Sequence, residues 1–450
     1  MNNTIFDLTY FGAGSVVNGT ESYVNATDPA QSVPYNGGGL SPEMKTFYDR
    51  ALIELAKPNL VHTQFGQKRP VPKNGGKTVE FRRMTPLAKN LNAINEGVTP
   101  SGSKMTVVPF TATMSQYGDY IEQTDLLEMT SIDNTVLEAT KLLADQAGRT
   151  VDSVVRDVLQ TGTNVNYAAR KLNNTTYIDT TSRSQLNSSC KLRVVDVFKA
   201  AAQLKALNAP TIGGKYVAIV HPHVAFDLMQ ESGDAWIDIK KYADPETILA
   251  GELGTLGGVR FVESSEAKIN YGENVLPNSR SAEVTSYQTT SSAGSAVYGV
   301  GTKYAITVDG TPDESLVGRR LYYYEPVIEE SISFRVAGVN PSTKTVFSET
   351  DLDILGSEEG DTLYPGEGGK LGEATYSTLF IGENAYGLID INGEGAIEHI
   401  VKQRGYGNDP LDQRSSVGWK AFMCAAILCD DYILRVESGS SFGPFVTKAN

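Results

Sequence analysis

The sequence predicts an α+β protein that contains more strand than helix and more than one domain. Glycine and tyrosine are frequent, with 43 and 22 of the 450 residues, and this composition favours strands and turns. Apolar residues recur every three or four positions over 134–161, which predicts one long amphipathic helix. A chain of this length exceeds one ordinary compact core, so we expect two or three lobes.

The N-terminal part of the chain predicts an arm followed by a helix. Residues 1–40 are polar and end in three consecutive glycines, which is typical of an extended or mobile segment. A helix should cover 41–56, because Ser41 suits the N-cap, Pro42 suits the first turn and Pro58 ends the helix.

Residues 66–124 predict a long two-stranded hairpin. Strands are expected over 77–84 and 106–120, with a loop rich in proline and glycine between them. A projecting hairpin buries little of its own surface, so it would need a partner surface to be ordered. Arg82 and Arg83 on its first strand could pair with acidic residues of a neighbouring subunit, or they could simply face solvent.

The middle of the chain alternates helices with buried strands. After the helix at 134–161, a second helix fits 194–207. An apolar strand at 215–220 then leads into a helix that extends to about residue 230. Residues 254–262 have the pattern of a glycine turn followed by a strand.

Residues 271–375 differ in composition from their surroundings. They are rich in Ser, Thr, Gly and Tyr and contain short β-like runs at 304–308 and 321–324. This composition predicts an inserted β module. The surrounding domain resumes at 379–391, and 409–438 adds a further pattern of strand, glycine turn and strand.

Charge and cysteine content exclude several classes of protein. The net charge is −14 and the basic pairs are scattered, so the chain has no basic stripe of a sequence-specific nucleic-acid binder. The N-terminus does not resemble a signal peptide, and the longest apolar run, 421–429, is too short to span a bilayer. Cys190, Cys424 and Cys429 have no disulfide-framework spacing, and Cys424 and Cys429 lie in an apolar run, so we expect these two to be buried free thiols.

Three patterns could carry chemistry, and each has a simpler interpretation. His221 and His223 could share a metal, but Pro222 makes a strand-to-helix turn the better interpretation. The glycines of 251–258 lack the Lys-Ser/Thr ending of a phosphate loop. Residues 439–443 spell Gly-x-Ser-x-Gly, but no histidine follows, which favours a flexible polar tail. We therefore predict no catalytic, cofactor or metal site.

Residues 409–419 form a dense polar turn between two predicted strands, with Gly418 directly before Trp419. Such turns commonly only reverse the chain. At a packed subunit junction, however, Asp412 and Arg414 would be suitable ion-pair partners.

Several motifs in one order closely resemble the major capsid proteins of podovirus-like tailed bacteriophages. The similarity covers 41–270 and 376–438. The segments that carry it are His221-Pro222-His223, Trp236, 251–254, 262–264, 379–382 and 409–414. The resemblance implies the tailed-phage capsid fold, with an N-terminal arm, an extended loop, a spine helix in a peripheral domain, and an axial domain.

The resemblance also implies how the chain is divided. The expected parts are 1–65 for the arm and first helix, 66–124 for the extended loop, 125–200 for the peripheral domain with the spine helix, 201–270 for the first part of the axial domain, 271–375 for a β-rich insertion, 376–408 for the second part of the axial domain, and 409–450 for the peripheral return strands and C-terminus.

The function implied by the resemblance is structural. Hexamers and pentamers would form an icosahedral virion shell around double-stranded DNA without sequence-specific contacts, assembled in the bacterial cytoplasm with a portal and with scaffolding or decoration proteins. We expect no enzymatic activity, cofactor or membrane association. Lys89 and Lys104 are possible donors for a crosslink between subunits. Candidate contacts between subunits are Arg82, Arg83, Lys89, Glu96, Asp412, Arg414 and Trp419.

Two other functions stay open at this point. An encapsulin-like nanocompartment shell of a cell would use the same fold, and a cargo gene beside this one would indicate it. Alternatively, 271–375 could be the glycan-binding module of a chain that does not assemble, with Tyr322–Tyr324 stacking on sugars.

Overall fold

The structure is a computed structural model. It describes residues 16–17, 60–71, 78–84, 87, 89–91, 93, 97, 102–125, 135–173, 176–232, 237–238, 252–289, 304–325, 330–349, 361–391, 397–402, 411 and 413–443. The helix predicted at 41–56 and nearly all of the arm at 1–40 lie outside these residues.

The chain divides into two compact units. Unit 1 contains Met1–Thr161 and Glu383–Asp430, and unit 2 contains Gly162–Gly382 and Asp431–Asn450.

We label the helices and strands of the described residues in chain order. The helices are α1 (Thr135–Leu159), α2 (Val194–Ala206) and α3 (Pro222–Ser232). The strands are β1 (Val16–Val17), β2 (Gln67–Val71), β3 (Thr78–Met84), β4 (Val107–Thr113), β5 (Ser115–Thr124), β6 (Val165–Tyr167), β7 (Arg170–Lys171), β8 (Tyr177–Ile178), β9 (Tyr216–Val220), β10 (Ile237–Asp238), β11 (Glu252–Leu256), β12 (Val259–Glu263), β13 (Ile269–Asn270), β14 (Ala282–Thr289), β15 (Tyr304–Val308), β16 (Arg320–Glu325), β17 (Glu330–Asn340), β18 (Thr345–Ser348), β19 (Thr362–Pro365), β20 (Thr375–Ile381), β21 (Tyr386–Ile391), β22 (Ile397–Lys402), β23 (Arg414–Ile427) and β24 (Ile433–Ser438).

The borders of the two units differ from the expected domain borders. Residues 162–200 and 431–450 were expected in the peripheral domain with the spine helix, but they fall in unit 2. The physical reason is that β6 and β24 pair with each other in the sheet of unit 2. Residues 383–408 were expected in the axial domain, but they fall in unit 1, where β21 and β22 pair with β23.

The apolar stripe at 134–161 forms helix α1, as predicted, and α1 packs on β23. Val154 and Val158, which belong to the sequence stripe, are only half-buried. The line of fully buried side chains keeps a spacing of four residues, so it turns slowly around the helix. Its members are Ala139, Leu143, Ala147, Val151, Val155 and Leu159.

Unit 1 is built on a six-stranded sheet in the order β1-β5-β23-β21-β2, with β22 also paired to β23. Strand β23 is 14 residues long. It runs antiparallel to β5 along one edge and to β21 and β22 along the other. A single strand therefore joins the two chain segments that make up unit 1.

Strands β3 and β4 form a separate antiparallel ribbon in unit 1. The ribbon is shorter than the hairpin predicted over 66–124. Met114 interrupts the strand predicted at 106–120, and its side chain is buried. The residues after Met114 form β5 of the six-stranded sheet, and β2 pairs with β21 of the same sheet.

Unit 2 is built on an eight-stranded sheet in the order β10-β11-β12-β9-β20-β24-β6, with β13 beside β20. Helices α2 and α3 contribute to one core with this sheet. The core includes Leu204 of α2 and Leu228 of α3, which join Ala218, Phe261 and Phe380 of the strands. Burial of such side chains contributes about 25 cal/mol for each Å² of apolar surface removed from water.

The helices and the buried strand predicted for unit 2 are confirmed. The helix expected at 194–207 is α2, the strand at 215–220 is β9, and the helix after it is α3. The pattern at 254–262 is only partly right, because its first residues belong to β11. The turn falls at Gly257 and Gly258, whose φ angles of 62° and 85° favour glycine.

The predicted β module contains a closed six-stranded barrel in the order β14-β15-β18-β17-β16-β19. Its interior holds apolar side chains such as Ile306, Phe334 and Val346. The chain enters through β13 and leaves through β20, and these strands pair at Asn270 and Thr375. Because entry and exit lie side by side, the barrel extends from the sheet of unit 2 without separating its strands.

A buried carboxylate connects the sheet of unit 2 to the segment that follows the barrel. Glu437 of β24 is fully buried, and Arg183 donates to both of its oxygens at 2.7 and 2.5 Å. Arg183 also donates to the carbonyl oxygen of Glu367 at 3.2 Å. Arg435 lies 3.1 Å from the same carboxylate. The carboxylate of Glu437 is buried away from solvent, so it depends on these partners, because an unpaired buried charge is costly.

Replacing Arg183 with methionine should lower the free energy of unfolding by about 3 kcal/mol, because the carboxylate of Glu437 loses one of its two cations. Denaturant unfolding measures this change. The control is Arg335→Met, because Arg335 is exposed and its Nε donates to the carbonyl oxygen of Gly318. That variant should lose less than about 1 kcal/mol. Equal losses in the two variants would contradict the role of the buried pair.

Helix α3 begins with a histidine cap. His221 Nδ1 accepts a hydrogen bond from the backbone N–H of His223 at 3.2 Å, so Nδ1 carries no proton. Burial, and then the neighbouring His223, lower the pKa of His221 to about 4. The predicted strand-to-helix turn is confirmed. Within the described ranges, no group of three or more His, Cys, Asp or Glu side chains could hold a metal ion.

This cap predicts that unit 2 loses stability in acid. The pKa of His221 is 6.5 without the fold and about 4 within it. Neutral His221 therefore contributes stability that is complete above pH 6.5 and is lost as the pH falls through 4. We expect a loss of about 2–3 kcal/mol, measured by denaturant unfolding across this pH range. His221→Asn keeps a good N-cap without a titrating ring, so its profile should be flatter. Superimposable pH profiles would refute this assignment.

Candidate interaction surfaces

The β3–β4 ribbon is buried at its base and exposed to solvent at its tip. At the base, Phe81 is 1% exposed and packs in a small core with Ala112, Met114 and Leu428. Beyond it, a group of apolar side chains is exposed to solvent. We call these residues, together with Lys89 and Lys104, the ribbon tip; the apolar members are Met84, Leu87, Leu91 and Met105, which are 62–88% exposed.

The exposed apolar side chains of the ribbon tip were not predicted from the sequence. A two-stranded sheet on its own is marginally stable in water, and a cluster of exposed apolar side chains marks a surface for a partner. The signal was present, because leucine and methionine recur in a segment otherwise rich in proline, glycine and asparagine. Loop composition gives no periodicity that would show which of these side chains are exposed.

The predicted contact residues of the ribbon occupy different environments. Arg82 is exposed and forms an ion pair with Glu80 at 2.8 Å. Arg83 is half-buried, donates to the carbonyl oxygen of Leu428 at 3.3 Å and lies over the ring of Phe110. Lys89 is exposed outside any strand. Arg83 therefore holds the ribbon to its own subunit, whereas Lys89 faces solvent.

Of the four other candidate contacts, Glu96 and Asp412 lie outside the described residues. Arg414 is half-buried at the start of β23, opposite Thr124. The ring of Trp419 is 4% exposed, and its Nε1 donates to Gln146 Oε1 of α1 at 3.2 Å. This tryptophan links the sheet to α1, so its ring is used inside the subunit.

A second anchor in unit 1 could not be predicted from the sequence. His62 and Asp152 are both fully buried, and the carboxylate accepts from His62 N and contacts His62 Nδ1, each at 2.6 Å. The hydroxyl of Tyr386 donates to the carbonyl oxygen of His62, and burial raises the pKa of Tyr386. These contacts hold the residues before β2 against α1 and β21.

The predicted flexible tail at 439–443 is wrong for the described residues. Asp227 of α3 accepts from Ser440 Oγ and Ser441 N at 2.8 Å, from Ser441 Oγ, and from Lys191 Nζ at 3.0 Å. Burial alone would raise the pKa of Asp227, but these donors hold it below its usual value. Phe442 stacks on His223 with ring centroids 4.2 Å apart. The segment is fixed along α3.

The tyrosines proposed to stack on sugars do not form an exposed platform. Tyr322 and Tyr323 are 5% and 0% exposed, and the Tyr323 hydroxyl donates to Asp361 Oδ2 inside the barrel at 2.7 Å. Tyr324 is half-buried, and Lys370 Nζ lies 5.6 Å from its ring. Alternation along β16 places the Tyr323 ring inside the barrel; of the two outer rings, that of Tyr322 is buried and that of Tyr324 is half-buried.

The three cysteines are free, as predicted; Cys190 and Cys429 are buried and Cys424 is half-buried. Among the helices that the structure describes, none has the length and apolarity needed to cross a membrane.

Comparison with known proteins places these features in a family. The sequence profile of the family described as "Phage capsid protein" matches residues 108–344. No curated protein matches the chain.

Several solved structures are similar to the chain at low identity. The capsid of Ralstonia phage GP4 is 11% identical, with 96% of this chain and 100% of that chain covered and a TM-score of 0.48. The capsid of cyanophage P-SCSP1u is 9% identical, with 85% and 89% covered and a TM-score of 0.46. The SrpI encapsulin complex of Synechococcus elongatus is 8% identical, with 92% and 96% covered and a TM-score of 0.39.

The family profile is the finding that decides the assignment, because it spans more than half of the sequence and overlaps β4, β5, α1, six of the eight strands of the unit 2 sheet and most of the barrel. The protein belongs to the phage capsid protein family and is a major capsid protein.

Proposed function

We propose that hexamers and pentamers of this chain form an icosahedral shell that encloses the double-stranded DNA of a tailed bacteriophage. Membership in the capsid family implies self-association into a shell in the virion. The observation that supports the finer proposal is the β3–β4 ribbon, which is anchored in its own subunit and carries an exposed apolar tip. A neighbouring subunit is the partner that would cover this tip in every copy.

The ribbon contact is suited to assembly by many weak interactions. Each tip offers a few apolar side chains, and complete burial of one contributes about 1.5–3 kcal/mol. Entropy lost on association offsets much of that gain for a single pair of subunits. In a closed shell each subunit both gives and receives such a contact, so the weak contributions act together.

The remaining parts of the proposal concern domains and partners. We assign α1 to the spine of the peripheral domain and the eight-stranded sheet with α2 and α3 to the axial domain. Lys89, Arg82 and Arg414 are proposed contacts between subunits, together with Glu96 and Asp412. Scaffolding, portal and decoration proteins would join during assembly in the bacterial cytoplasm. The net charge of −14 suits a wall that encloses DNA without binding it tightly. We propose no enzymatic role and no cofactor.

The full chain, expressed with and without its scaffolding protein, should form closed shells or rings of five and six subunits by electron microscopy and light scattering. Leu87→Ser combined with Leu91→Ser should reduce the assembled fraction at least about tenfold, because loss of two apolar contacts costs more than about 1.4 kcal/mol for each subunit.

The control for this experiment is Leu142→Ser, which removes an exposed leucine from α1, far from the tip in sequence. It should assemble like the unmodified protein, and all variants should keep the same unfolding midpoint. A monodisperse monomer of the unmodified chain under every condition would overturn the shell proposal. Nucleic acid rather than protein cargo inside the shells would distinguish a virion from a nanocompartment.

A further inference from the structure

We propose that the ribbon tip of one copy docks on an acidic rim of the β-barrel in a second copy. This inference rests on the proposed shell function and names the surface that would receive the ribbon. We define the acidic rim as Glu283, Asp309, Asp313 and Glu314, all of which are exposed.

Charge is distributed unevenly along the chain. Residues 78–113, which contain the ribbon and its tip, hold four Lys and Arg against two Asp and Glu, so their net charge is +2, although the whole chain carries −14. Residues 271–375, which contain the barrel, hold seven Lys and Arg against sixteen Asp and Glu, for a net charge of −9. The basic ribbon and the acidic barrel module are therefore complementary, and both are present in every copy.

The free cations of the ribbon lie at its tip. Arg82 is paired with Glu80, and Arg83 is directed to Leu428. Lys89 and Lys104 are exposed, and neither forms an ion pair with any residue that the structure describes. They lie in the same segment as the exposed leucines and methionines of the tip, so the docking element combines positive charge with apolar surface.

The acidic rim has the complementary properties. The backbone N–H of Glu283 donates to Asp309 Oδ1 at 3.1 Å, and that of Asp309 donates to the carbonyl oxygen of Glu283 at 3.0 Å, which fixes the two residues side by side. Asp313 accepts from the Ser315 N–H at 2.9 Å in the turn that carries Glu314. None of the four carboxylates forms an ion pair with a Lys or Arg side chain that the structure describes, although Lys344 Nζ donates to the backbone carbonyl oxygen of Asp309 at 2.8 Å.

Apolar surface is also present beside the rim. Val317 follows Glu314 in the same turn and is 49% exposed, although the preceding Leu316 is fully buried in the barrel core. In the proposed contact, the lysines of the ribbon tip therefore face the carboxylates of the rim, and its leucines face the exposed side chain of Val317. On the outer face of β16, by contrast, Tyr322 is 5% exposed and Tyr324 is half-buried, so that wall of the barrel offers less free surface.

A second copy fits these observations better than a different partner. A ribbon that leaves its own subunit and lands on another part of the next one makes a heterologous contact, which closes into rings when the rotation allows it. Opposite charge on the two surfaces increases the association rate and fixes the register of the contact. Because the paired charges are exposed, salt should weaken the contact.

A charge-reversal experiment tests the contact. Lys89→Glu with Lys104→Glu should reduce the assembled fraction on the order of tenfold, and Asp313→Lys with Glu314→Lys should do the same, since each places like charges in contact. The chain that carries all four changes should regain assembly, because the charges are again opposite. The control is Lys199→Glu with Lys205→Glu, which reverses two exposed lysines of α2 and should have little effect.

Crosslinking gives a second readout that does not depend on shell yield. Copies with Lys104→Cys mixed with copies with Glu314→Cys should form a disulfide-linked dimer under mild oxidation, and neither variant should do so alone. If the reversed variants assemble normally, or the four-change chain fails to recover and no mixed dimer forms, the proposal is overturned. An unmodified chain that never assembles would instead contradict the shell function itself.

Discussion

Both units of this protein depend on long-range strand pairing that involves the end of the chain. In unit 1, β23 lies between β5 and the pair β21 and β22, and it also contacts α1. In unit 2, β24 lies between β20 and β6. Neither sheet has its full set of hydrogen bonds until residues 414–438 are present. Pairing over such sequence distances is slow, because loop entropy is lost before the contacts form.

This dependence explains where the polar anchors lie. Arg183 binds Glu437 of β24, and Ser440 and Ser441, just beyond that strand, bind Asp227. In unit 1, Trp419 of β23 binds Gln146 of α1. Each of these contacts joins a segment after residue 414 to an element that lies earlier in the sequence. Hydrogen bonds of this kind specify the strand register, which apolar packing alone defines only loosely.

The sequence predicted local structure well and long-range structure poorly. Helices α1, α2 and α3 were predicted because apolar periodicity and caps depend on neighbouring residues. The His62–Asp152 pair joins residues 90 positions apart, and no local pattern marks it. The tail at 439–443 is polar, and only its partner Asp227 shows that it is ordered.

Burial was also misjudged where tertiary contacts decide it. Tyr322–Tyr324 were expected to be exposed, yet Tyr323 lies inside the barrel, Tyr322 is buried and Tyr324 is half-buried. Trp419 follows a polar turn that suggested a surface position, yet its side chain is 4% exposed and donates to Gln146 of α1. The apolar residues of the ribbon tip are the opposite case: the projecting hairpin predicted a partner surface, but the loop composition did not show which side chains would be exposed.

In the barrel and the ribbon, the residues that stabilise the fold are different from the surface residues proposed to contact a neighbouring subunit. The barrel is joined to the sheet through the adjacent strands β13 and β20, and the ribbon is joined through the small core around Phe81. Because each has its own core or anchor, its outer surface can carry unpaired charge and apolar side chains without weakening the sheets. We expect a subunit with this division to gain further stability where a neighbour covers those surfaces.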